Sequence, residues 1–115
     1  MADQKRIDKI KRYGEKGKVK KILPYVANED SAIRTAVAAT LGSIPGDDAF
    51  NALISMIRDN DIAVRIEVVR ALRHTERTSA MEFIRRASEG ANNAELTKAC
   101  SEAITFLRKV EGSAV

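Results

Sequence analysis

Shifted by 31 residues, the chain falls on itself, and this self-similarity limits its fold more than any other feature. Asp30-Ser31-Ala32-Ile33-Arg34 lands on Asp61-Ile62-Ala63-Val64-Arg65, and Leu41 lands on Leu72. The same shift lays Ile22, Leu23 and Val26 on Leu53, Ile54 and Ile57, and Ala49 and Phe50 on Ala80 and Met81. A third copy needs four extra residues within Glu89-Gly90-Ala91-Asn92-Asn93, after which Val64 matches Ala99 and Leu72 matches Leu107. A period of this length is one supersecondary unit, which cannot bury its apolar face alone and must stack on its neighbours.

The unit is helical. Apolar residues recur at three and four: Ile33, Val37 and Leu41; Val64, Val68 and Leu72; Ala99, Ala103, Ile104 and Leu107. No stretch alternates with period two for long enough to make a strand. Glycine and proline fall where helices should stop, at Gly14 and Gly17, at Gly42-Ser43-Ile44-Pro45-Gly46, at Gly90 and at Gly112. Asp30, Asp47, Asp61, Ser79 and Asn93 stand where N-caps are wanted, and Ser79 with Glu82 has capping-box spacing. The pattern predicts helices near 3–13, 16–28, 31–43, 47–59, 61–74, 78–89 and 93–110. Short polar turns make chain neighbours antiparallel. The chain is therefore expected to be all-α and a single domain. A leading helix with Ile7, Ile10 and Tyr13 on one face caps three helix pairs at about 14–44, 45–75 and 76–110, and 111–115 form a frayed tail.

Composition removes most other classes. At 115 residues and 12.6 kDa the chain buries enough surface to fold without staples. The single cysteine, Cys100, and the single histidine, His74, exclude a disulfide framework, multi-cysteine zinc sites and HExxH chemistry. No apolar run approaches the roughly 20 residues that span a bilayer. Asp3, Lys5, Arg6, Asp8 and Lys9 leave no signal-peptide core, which points to a cytoplasmic protein. Charge is uneven: residues 1–21 hold nine Lys/Arg against three acids, whereas residues 22–115 hold eleven against thirteen.

The two D-x-x-[VI]-R motifs, Asp30 to Arg34 and Asp61 to Arg65, each open an alanine- and valine-rich helix, ending at Leu41-Gly42-Ser43-Ile44 or Leu72-Arg73. Together with the link Ile44-Pro45-Gly46-Asp47-Asp48-Ala49-Phe50, they resemble HEAT-like repeats of the short kind found in phycobilin lyases. The resemblance covers about 14–110. The third copy lacks the Asp/Arg pair and has a longer loop, so it reads either as a third repeat or as a C-terminal cap. The resemblance implies a short right-handed α-solenoid, a proline-kinked first helix at Pro24, and an Asp/Arg ladder in which Arg34 and Arg65 pair with aspartates of a neighbouring repeat. Asp30, Arg34, Asp61 and Arg65 are accordingly structural positions.

Nothing forms a catalytic constellation. Cys100 sits among core alanines as a structural thiol, and His74 ends a helix, where a cation suits the dipole. Glu67 and Glu102 are equivalent positions without a pocket signal, and no glycine loop could cradle a phosphate. No cofactor or metal is expected. The resemblance implies that the second helices line a concave, ligand-binding face. By repeat position that face holds Thr35, Ile62, Ile66, Glu67, Arg70 and Glu102, with Ile62, Ile66 and Arg70 as an apolar-plus-arginine centre. An isoleucine beside an arginine suits a protein or peptide contact. The expected function is thus a scaffold or accessory interaction module. A first alternative is a binder of nucleic acid or an acidic partner through Lys9, Lys11, Arg12, Lys16, Lys18, Lys20 and Lys21. A second, by family analogy alone, is a bilin-lyase-like accessory factor. Self-association through an imperfect terminal repeat is the remaining expectation.

Overall fold

Residues 3–113 are described by the computed structural model, and every regular element among them is helical. Long and short helices alternate: α1 (Gln4–Glu15), α2 (Val19–Ile22), α3 (Ser31–Leu41), α4 (Asp47–Ser55), α5 (Ile62–His74), α6 (Met81–Ala87) and α7 (Ala94–Ser113). Side-chain caps start all four of the long ones. Asp30 Oδ1 and Asp61 Oδ1 accept from the amides of Ala32 and Ala63 at 2.9 Å each, and Asn93 Oδ1 accepts from the Leu96 amide at 2.9 Å. Asp3 does the same for the Arg6 amide at 3.2 Å. Each bond satisfies a donor that a helix start otherwise leaves unpaired, worth about 1 kcal/mol.

The long helices pack in the order α1–α3–α5–α7, forming one layer. Their short partners form a second layer, touching the long helices and making at most marginal contact with one another. Two layers account for a slab of 41 × 33 × 17 Å, only one dimension of which is thin. Between the layers lies a single core in which Ile10, Ile22, Ile33, Leu41, Leu53, Leu72, Ile84, Leu96 and Leu107 are fully buried. The chain thus forms the expected all-α stack of helix pairs, with α1 extending the long-helix layer ahead of the first pair.

An arginine ties consecutive pairs together. Arg34 Nε and Nη2 bond both carboxylate oxygens of Asp59, at 2.8 and 3.0 Å, and Nη1 donates to the Asn28 and Glu29 carbonyls at 2.7 and 3.1 Å. Both side chains are largely buried, at 12% and 9% exposure. Asp59 holds the Arg34 guanidinium firmly charged, raising its pKa above the ordinary arginine value against the opposing cost of burial. Arg65 copies the grip on its own loop by donating to the Asp59 carbonyl, but its outward partner is the Ala87 carbonyl at 3.3 Å.

Local expectations fail where backbone chemistry intervenes. The first helix of the first pair, expected over 16–28, is cut to Val19–Ile22 and a 3₁₀ turn at Leu23–Tyr25, because Pro24 supplies no amide to continue it. Gly46 (φ 107°), not Asp47, is the N-cap of α4, which places Asp47 and Asp48 inside its first turn. Ser79 makes no capping bond; Thr78–Ala80 is a 3₁₀ turn that leads into α6. The tail expected to fray from 111 is helical to Ser113, and its last two residues lie outside the described residues.

Candidate interaction surface

The long helices meet along equivalent rows with spacing i, i+4, i+7, i+11, which keeps four residues on one side of a helix. On α1 the row is Asp3, Ile7, Ile10 and Gly14; on α3 it is Ser31, Thr35, Ala38 and Gly42; on α5 it is Ile62, Ile66, Val69 and Arg73. The direction of each row is fixed by its last member. Gly14 lies against Thr40 of α3. Gly42 lies so close to α5 that a Cβ there would stand 2.9 Å from the Ala71 Cβ and 3.0 Å from its Cα. Arg73, at the position equivalent to Gly42, instead lies over the Phe106 ring of α7, 4.8 Å from its centroid.

That replacement changes the surface. Phe106 occupies in α7 the place of Ala71 in α5, so the glycine–alanine contact of one junction becomes a cation–π stack at the next. Beside the stack an open groove of about 290 Å³ runs between α5 and α7. Ala99 and Ala103 lie along it, with Arg70, Arg73, Glu95, Lys98 and Glu102 around them. Arg70 Nη2 lies 3.7 Å from Glu95 Oε1, both side chains mostly exposed. A pair of this kind exchanges readily for an external partner, being worth well under about 1 kcal/mol.

The structure brings Arg70 and Glu102 to this groove and turns the other sequence-derived candidates elsewhere. Ile66, expected at the centre of the exposed face, is buried, at 5% exposure, in the row that faces α7. Ile62 is half-buried in the same row and packs on the core. Thr35, its counterpart to Ile66 in α3, is half-buried, with its hydroxyl donating to the Ser31 carbonyl at 2.9 Å. Glu67 is half-buried and does not line the groove. Sequence reasoning passed over Arg73 and Phe106. The signal was present: a bulky pair stands where the preceding junction has glycine and alanine.

The basic segment divides into separate parts. Lys5, Lys9, Arg12 and Lys16 follow one another along a single side of α1, whereas Lys11 falls with Asp8 and Glu15 on another. Lys18, Lys20 and Lys21 share an open groove with Val19, Ile44, Pro45, Asp47 and Asp48, so acids face them. All the lysines named are exposed.

Cys100 is buried, and desolvation raises its thiol pKa, offset in part by the Ser88 hydroxyl. Among the described residues no three His, Cys, Asp or Glu side chains gather to hold a metal ion, and no helix is long and apolar enough to cross a membrane. Of the Asp/Arg positions, Asp30 and Asp61 cap helices, and Arg34 and Arg65 bind loops and carbonyls, which is structural work.

Comparison with known proteins agrees with the architecture. A protein-family model described as HEAT repeats matches residues 6–73. No curated protein and no solved structure gives a match.

Proposed function

Because the chain belongs to the HEAT-repeat family, whose repeats are generally protein-interaction scaffolds, we propose that it is a non-catalytic interaction module that receives a protein or peptide partner in the groove between α5 and α7. The observation that carries this reading is the groove itself, lined by Arg70, Arg73, Glu95, Lys98 and Glu102 beside small alanines. Two arginines beside a floor without bulky side chains suit a peptide segment that carries carboxylates and small or extended side chains. Arg73 already lies over the Phe106 ring, so less side-chain freedom is lost when a partner arrives. Glu95 and Glu102 give the groove a second sign of charge, which fixes the direction in which a segment can lie.

The test is a purified binary interaction. A partner captured from extracts of the native host is titrated against the intact protein, an Arg70→Glu, Glu102→Arg variant and an Arg58→Glu variant elsewhere on the surface. All three positions are exposed, so circular dichroism should be unchanged. The groove variant is expected to bind at least about tenfold more weakly and the control within about twofold. Equal binding by the groove variant and the intact protein overturns the reading.

A further inference from the structure

The outward side of α1 carries a stripe of one charge that the packing leaves open. The shift that lays Gly14 on Gly42 also lays Lys5, Lys9 and Arg12 on Ile33, Val37 and Thr40, which are buried in α3. In α1 the same side is exposed, because none of the described elements packs there. The spacing i, i+4, i+7, i+11 sets Lys5, Lys9, Arg12 and Lys16 on a ridge about 16 Å long at 1.5 Å per residue. None of the four pairs with a carboxylate among the described residues.

Closing the end of a helix stack asks only for a polar surface. At the opposite end of the slab the row on α7 that would face a following helix is Thr97, Ser101, Ile104 and Arg108, polar at three of its four places. Four cations in line are therefore more than capping needs. We propose that the α1 stripe is a binding site for the phosphate backbone of double-stranded nucleic acid. Lysine is depleted in protein–protein contacts, which argues against a protein on this ridge. The aromatic beside the stripe, Tyr13, is half-buried with Lys9 over its ring, 5.8 Å from the centroid, so the stripe offers neither insertion into a lipid layer nor a free platform for unpaired bases. A ridge of this length spans about five base-pair steps along the duplex axis, with phosphates of both strands within reach. Lys18, Lys20 and Lys21 lie outside the site: they line a separate groove on α2 that also holds Asp48 and Asp47, the latter bonded to Arg77.

The stripe is tested by fluorescence anisotropy of a short fluorescein-labelled duplex, as DNA and as RNA, at rising KCl. Four phosphate contacts give a slope of log K against log[salt] of about −3.6, which is about a hundredfold loss between roughly 50 and 200 mM. Lys9→Gln alone should flatten the slope by about 0.9 units and the four-fold glutamine variant should abolish binding, while Lys18→Gln with Lys20→Gln and Lys21→Gln leaves the slope unchanged. Should the four-fold variant lose its helical spectrum, the single variants and the intact protein's slope carry the test. A slope shallower than about −1, transfer of the effect to the α2 lysines, or binding to phosphatidylserine vesicles without binding to duplex each overturns the assignment.

Discussion

The α3–α5 and α5–α7 junctions bring equivalent positions together with opposite contents. At the first, Ser31, Thr35, Ala38 and Gly42 let the helices approach until Gly42 touches the backbone of α5, and the buried Arg34–Asp59 pair fastens the loops beside them. At the second, Ile62, Ile66, Val69 and Arg73 fill the interface with side chains instead of backbone. There the fastening arginine, Arg65, reaches only carbonyls, because Gly90 stands where the repeat would place the counterpart of Asp59. One junction is closed by small residues and a fully bonded ion pair. The other is closed by bulk and leaves a charged groove on its surface. In a stack of repeats, regular junctions hold the molecule together, and the irregular one is where a distinctive surface arises.

The comparison can be broken by substitution, with urea unfolding followed by circular dichroism as the measure. The largest effect is expected from Arg34→Met, which strands the Asp59 carboxylate in a largely buried site and should cost about 3–5 kcal/mol. Gly42→Ala comes next, at about 1–3 kcal/mol, because its new Cβ meets Ala71 backbone that cannot rotate away. Arg65→Met should cost less than Arg34→Met, about 1–2 kcal/mol, since only hydrogen bonds to carbonyls are lost. Equal costs for the two arginines would erase the distinction between the junctions. At the small end, Arg73→Ala should cost about 0.5–1 kcal/mol through the lost stack on Phe106. Arg70→Ala should fall within about 0.5 kcal/mol, its ion pair being exposed. A cost for Arg73→Ala as large as that of Gly42→Ala would mean that the stack, and not apolar bulk, closes the second junction.

Much of this was legible in the sequence. The repeat, the all-helical content and the capping by Asp30, Asp61 and Asn93 follow from spacing and side-chain chemistry. Arg34 pairs with an aspartate of the neighbouring repeat, as the resemblance implies, and Arg65 does not; which aspartate Arg34 meets did not follow, because it is neither of the motif aspartates. Asp30 and Asp61 spend their carboxylates on helix starts, and Asp59, at the place of Asn28 in the preceding copy, is left to meet the arginine. Ile66 was misplaced for a related reason. Periodicity shows which side of a helix meets the core but not where the next helix lies, and Ile66 stands at the boundary those two facts define. Gly42 marks that side in α3, and its counterpart Arg73 marks it in α5. The groove was therefore readable only after the register of the rows was known.

Contacts in the slab join each helix to its near neighbours along the chain, and none of substance links α1 to α5 or α7, or α3 to α7. Such wiring has low contact order, so the chain should fold quickly, with order spreading along it one pair at a time. It also means that mechanical communication between the two ends has a single route. Any shift of α1 reaches the Arg70 groove only by moving α3 against α5, past Gly42, where not even a methyl group would fit against Ala71.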